Sequence, residues 1–70
     1  MQTTDKVRAE LYVSVVMLRP LTPGAEVWMR RNLGAERWQW MGGALACDNR
    51  YVADIVDAMQ AAGIEILPGA

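Results

Sequence analysis

From Val7 to Leu18 the chain follows a period of two. Val7, Ala9, Leu11, Val13, Val15 and Met17 fill the odd positions; Arg8, Glu10, Tyr12 and Ser14 fill the even ones, followed by Val16 and Leu18. Successive side chains of a strand point to opposite faces, so this alternation is that of a half-buried β-strand and does not fit a helical period. We read residues 7–18 as one strand. Its odd side chains face a core, and its even face is covered only toward Val16 and Leu18.

Arg19-Pro20-Leu21 ends that strand, and Thr22-Pro23 opens a helix. A threonine hydroxyl can accept from the free N–H groups of a first helical turn, and proline at the first helical position loses no bond. Glu26 suits the positive N-terminal end of the helix dipole, and Arg30 and Arg31 suit the negative C-terminal end. Ala25, Trp28, Met29 and Leu33 recur at helical spacing before Gly34. These features predict a helix over 23–33.

The segment Glu36 to Cys47 has two readings. If Gly42-Gly43 is a two-residue turn with positive φ, it joins two strands. Trp40 then pairs with Leu45 and Trp38 with Cys47 on one face, while Met41–Ala44, Gln39–Ala46 and Arg37–Asp48 pair on the other. The rival is one long strand with a glycine break. Beyond it, Asp48 or Asn49 is positioned to cap a second helix, 49–62. Tyr51, Val52, Ile55, Val56, Met59 and Ala62 form its apolar stripe, and Gly63 ends it. Ile64-Glu65-Ile66-Leu67 reads as a last short strand.

With the hairpin the order is β-α-β-β-α-β, an α+β two-layer sandwich of the ferredoxin-like, split βαβ kind. Without it the order is a three-stranded β-α-β-α-β layer. Either way the chain is a single small domain, 1–70, with residues 1–6 expected as a flexible tail.

Size then limits what can hold such a layer together. A core drawn from 70 residues rarely supplies more than about 3–5 kcal/mol, and domains this small commonly add disulfides, a metal or a partner subunit. One cysteine and no histidine exclude an internal disulfide and a zinc site of ordinary type. Together with a hydrophobic fraction of 53%, this points to self-association. A net charge of −1 and a pI of about 5.1 are unlike domains held to nucleic acid by phosphate neutralisation. No apolar run approaches a membrane span and the N-terminus lacks a secretory h-region, so a cytoplasmic location is expected.

The outward-facing side chains define the candidate interface: Tyr12, Ser14 and Val16 from the first strand, Ala44 and Ala46 beside them, and Trp40 and Met41 at the turn. Small, partly apolar residues on a sheet face suit packing against another protein better than stacking on bases. Arg30, Arg31, Arg37 and Arg50 form a candidate patch for an anion or an acidic partner, with Glu36 and Asp48 interleaved. Trp28 and Trp38 are expected in the core. Without histidine there is no Ser-His or Cys-His pair, and Cys47 reads as a small buried apolar residue. Asp54 and Asp57 read as a solvated helix face, and the glycines form neither a dinucleotide nor a P-loop fingerprint. No cofactor is expected.

The strings Leu18-Arg19-Pro20-Leu21-Thr22-Pro23-Gly24-Ala25-Glu26-Val27-Trp28, Trp40-Met41-Gly42-Gly43-Ala44-Leu45 and Tyr51-Val52-Ala53-Asp54-Ile55-Val56-Asp57-Ala58-Met59 resemble small bacteriophage- and prophage-encoded proteins. That resemblance implies a bacterial or phage setting, in which tiny non-enzymatic proteins act by binding and blocking a host protein. It transfers no site residues. The expected function is therefore a non-enzymatic protein-interaction module, self-associating through its open sheet face. The alternatives are a phage-type inhibitor or adaptor of a host protein, and a small nucleic-acid-binding module.

Overall fold

A computed structural model describes residues 4–33 and 39–69. Among these, the chain forms seven elements: β1 (Lys6–Leu11), β2 (Val15–Pro20), α1 (Pro23–Asn32), β3 (Trp40–Met41), β4 (Ala44–Asp48), α2 (Val52–Ala61) and β5 (Glu65–Pro68). The strands make one mixed sheet in the order β3-β4-β2-β1-β5. All neighbours are antiparallel except β1 and β5, which run parallel.

The architecture is α+β, but the expected single strand over 7–18 is two strands. The chain reverses at Val13-Ser14, and the Tyr12 N–H donates to the Val15 carbonyl at 2.8 Å to close the hairpin. Leu11 pairs with Val16, Ala9 with Leu18 and Val7 with Pro20. Partners thus join an odd number to an even one. The core-facing set is odd in β1 and even in β2, and Val16 and Leu18 are buried at 2% and 0% exposure. The turn contains no glycine or proline and none of its residues takes a positive φ, so the usual local markers of a hairpin are absent.

This extra strand also changes the expected ferredoxin-like order. The segment from β2 to β5 has the anticipated β-α-β-β-α-β sequence of elements, with β4 lying between β3 and β2. In that four-strand layout the last strand would lie beside β2. Here β1 occupies that place and β5 pairs with β1 instead. Asp5 and Lys6, expected as the end of a tail, belong to the fold: Lys6 opens β1, and the Asp5 carbonyl accepts from the Glu65 N–H at 2.8 Å.

The two-glycine reading of the second hairpin holds. Gly42 and Gly43 have φ of 58° and 80°, and Trp40–Leu45 and Met41–Ala44 pair as the turn requires. The further pairs through Trp38 and Arg37 lie outside the described residues, as does Gly34. Thr22 caps α1 as expected, its Oγ1 accepting from the Ala25 N–H at 3.3 Å while donating to the Asp5 carboxylate at 2.8 Å. At the start of α2 the expectation fails. The cap residue is Tyr51, with no side-chain cap, because the Asp48 carboxylate is taken by the Arg50 N–H at 2.8 Å. The end of α2 is a Schellman closure, with Ile64 N–H to Met59 carbonyl and Gly63 N–H to Gln60 carbonyl, both at 3.0 Å around Gly63 at φ 86°.

Both helices cover the same sheet face. One apolar cluster unites Val7, Val16, Leu18, Leu45 and Cys47 from the strands with Ala25 and Met29 from α1, Met59 from α2, and Ile64. Trp28, Trp40, Ile55 and Ile66 close its margins. Among the described residues no polar side chain is buried, so this core contributes through apolar burial and packing alone. Two stability outcomes follow. Thr22→Ala should lower unfolding free energy by about 1 kcal/mol in urea titration, with Thr22→Ser retaining most of it. Leu18→Ala should cost about 2–5 kcal/mol. Set against the roughly 3–5 kcal/mol such a core supplies, that loss should leave a largely unfolded chain by circular dichroism.

Candidate functional site

The sheet face away from the helices carries no covering element among the described residues. Its composition follows from the parity change across the first hairpin. On β1 the outward side chains are Arg8 and Glu10, and on β2 they are Val15, Met17 and Arg19. Register then places Ala46 beside Met17, and Met41 beside Ala44. Tyr12, Val15, Met17, Met41 and Ala46 line one open apolar groove of about 400 Å3. The adjoining hairpin end is also apolar and bare: Leu11, Tyr12 and Val13 are 82%, 61% and 100% exposed.

Three expected interface residues, Tyr12, Met41 and Ala46, meet in this groove. The others do not. Val16 was expected to face outward with the even residues of a single strand, but the chain reversal turns it into the core. Ala44 has the expected orientation and is nevertheless fully buried. Continuing the β2–β4 register places Arg19 opposite it, and the Arg19 guanidinium reaches past to the Gly42 carbonyl at 2.9 Å. Trp40 packs half-buried against the core with the Arg30 guanidinium 4.2 Å from its ring centre. Ser14 is exposed in the turn, its carbonyl accepting from the Asn49 N–H at 3.3 Å. Val15 and Met17 were missed because a single strand assigns their odd positions to the core. The shift of apolar character from odd positions in β1 to even positions at Val16 and Leu18 was the available signal.

Two of the three described arginines of the expected patch, Arg30 and Arg50, are held by carboxylates. Arg30 pairs with Glu26 at 3.1 Å one turn back along α1 and lies over Trp40. Arg50 donates from Nε to Asp48 Oδ1 and from Nη2 to Oδ2, each at 3.1 Å, and lies 5.5 Å from the Tyr51 ring centre. The Arg50 hydrogen bonds, side chain first and backbone second, hold the Asp48 carboxyl below its ordinary range. Arg31 is exposed on the last turn of α1, and Arg37 lies outside the described residues. Arg19, absent from the expected patch, is on the open face with Nε 3.4 Å from Glu10 Oε1.

Among the described residues, no group of three or more aspartate, glutamate or cysteine side chains is placed to hold a metal ion. Asp54 and Asp57 are both exposed on α2. Cys47 is buried, its Sγ 3.9 Å from the Leu45 carbonyl, and desolvation pushes its thiol above the ordinary value. No helix of the described residues is long and apolar enough to cross a membrane. No protein-family model matches the sequence, and no curated protein or solved structure matches it significantly.

The Cys47 environment has a measurable consequence. A thiol whose value is raised in the folded state ionises first in the unfolded chain as pH increases, so its contribution to stability is complete below the ordinary thiol range and lost above it. Alkylation by iodoacetamide at mildly alkaline pH should therefore be slow in the native protein and reach the free-thiol rate in denaturant. Equal rates in the two conditions would contradict the burial of Cys47.

Proposed function

We propose that this chain is a small non-enzymatic protein-interaction module that binds through its open sheet face and the adjoining hairpin end. The observation that carries this reading is β2. Val15-Val16-Met17-Leu18 is apolar on both faces, the composition of a strand covered on both sides, although helices cover only one. Its neighbour β1 has the polar outer face, Arg8 and Glu10, of a strand that meets water. The unmatched apolar surface is thus local: a groove floored by Val15, Met17 and Ala46 and bordered by Tyr12 and Met41. Exposed Tyr12 and Met41 suit such a role, because an aromatic ring brings a large rigid area and methionine adapts to irregular surfaces.

The same features give a nucleic-acid reading less support. The side chains next to Tyr12 in the groove are aliphatic or thioether, and Glu10 lies on the same face with Arg19 beside it. A backbone-tracking surface needs a surplus of cations and further stacking rings.

Photo-cross-linking in cells tests the proposal. A benzophenone side chain at Val13 or Met41 should yield protein adducts, whereas the same group at Gln60, exposed on α2, should not. The adduct mass separates a second copy of the chain from a foreign protein. Absence of adducts at Val13 and Met41, or equal yield at all three positions, would remove the proposed surface.

A further inference from the structure

β1 lies inside the sheet, between β2 and β5, and its Val7 is fully buried. Its start is tied down as well. The Asp5 carbonyl accepts from the Glu65 N–H and the Lys6 carbonyl from the Leu21 N–H, both at 2.8 Å, while the Thr22 hydroxyl donates to the Asp5 carboxylate at 2.8 Å. None of these contacts requires residues 5–11 to belong to the same chain as the strands they meet. Only the reversal at Val13-Ser14 ties β1 to its own β2.

That reversal has little in its favour locally. Two-residue hairpin connections favour primed turns, whose positive φ gives a twist that matches the flanking strands. Neither Val13 nor Ser14 has a positive φ. From Val7 to Leu18 there is no glycine, proline, asparagine or aspartate, and Tyr12, Val13 and Val15 are of types that favour strands. Two backbone bonds mark the turn, Tyr12 N–H to the Val15 carbonyl at 2.8 Å and Asn49 N–H to the Ser14 carbonyl at 3.3 Å. Leu11, Tyr12 and Val13 meanwhile stand exposed.

We infer that this hairpin opens at Tyr12–Val15 and that β1 exchanges between two copies of the chain, each β1 taking its place between β2 and β5 of the other copy. Residues 6–20 of each copy then run as one extended segment, and the two segments lie antiparallel about a two-fold axis near Val13-Ser14. Every pairing of β1 and every bond of Asp5 and Lys6 recurs between chains, so the closed and exchanged forms differ at the hinge. The core set is odd in β1 and even in β2. The opened segment therefore contains one bulged residue, which changes parity without ending either strand. Opening also gives the exposed Leu11, Tyr12 and Val13 a neighbour, the hinge of the second copy. The exchange does not rest on what covers the open sheet face. Withdrawing β1 unpairs two neighbours and uncovers Val7, so the two forms interconvert through a largely unfolded chain, and the concentration at which the chain refolds sets their ratio.

Refolding the full chain from urea at low micromolar and at several hundred micromolar, followed by gel filtration at one low loading concentration, tests the exchange. The dimer fraction should rise with refolding concentration and persist after dilution, because return to monomer also requires β1 to leave the sheet. Val13→Asn together with Ser14→Gly supplies a primed turn and should lose the dimer at both concentrations, with an unchanged circular dichroism spectrum. Deletion of Ser14 removes the two-residue loop and makes the alternation continuous from Val7 to Leu18; this variant should fold as a dimer at micromolar concentration. A wild-type chain that refolds to monomer at every concentration overturns the inference. So does a dimer that dissociates at once on dilution or that survives the Asn-Gly turn, either of which would place association elsewhere on the molecule. A Ser14-deletion variant that is a folded monomer, or that does not fold, overturns it likewise.

Discussion

The reversal of the chain at Val13-Ser14 determines what the rest of the molecule is made of. With Leu11 opposite Val16, the two arms of the hairpin contribute side chains of opposite parity to each face. That places Val16 and Leu18 with Val7 against the helices, where they meet Met29 and Met59. The same step sends Val15 and Met17 outward. A continuous strand would have put Met17 inside and left Leu18 in solvent. Burying a side chain of Leu18's size is worth about 1.5–3 kcal/mol, a large share of the stability available to a chain this short. The hairpin is therefore selected by the core it completes, although its turn residues have little preference for a turn.

The elements legible in the sequence are those whose determinants are local. Thr22-Pro23 fixes the start of α1 through one hydroxyl and one constrained φ, and the structure has the expected hydrogen bond to Ala25. Gly42-Gly43 fixes its hairpin because both residues must take positive φ. The Met59-to-Gly63 ending of α2 is likewise written in neighbouring residues. By contrast, Tyr12-Val13-Ser14-Val15 has no such marker. Its reversal is decided by contacts of Val16 and Leu18 with distant helices, so a period of two read along the chain continued straight through it.

The same distinction governs the candidate site. Tyr12, Met41 and Ala46 were recognisable because their outward placement does not depend on the missed turn. Val16, Val15 and Met17 all lie beyond it, and each exchanged faces. Ala44 illustrates a different limit: its orientation was right, yet the long Arg19 side chain reaching Gly42 shields it. Two arginines of the expected patch are engaged by carboxylates close in the chain. Arg50 has a carboxylate and an aromatic ring on neighbouring residues, and Arg30 has Glu26 one turn back as well as the Trp40 ring on β3; local carboxylates are held at less entropic cost than distant ones.

Stability and the open apolar surface are consequently tied to one strand. The fully buried side chains of substantial volume are Leu18, Met29, Met59, Val7 and Val16, and no aromatic ring of the described residues is among them. So modest a core leaves little reserve, yet half of β2's apolar surface is spent on the face the helices do not cover. Replacing Val15 and Met17 with polar residues would preserve every helix contact and remove an aggregation hazard, which is how solvent-facing strands are ordinarily built. Apolar groups there, with Glu10 beside Met17 and Arg8 and Arg19 in the next row, give the open face an apolar centre with a charged border. Covering it would remove apolar area from water on the second side of β2 and add to the stability of the fold.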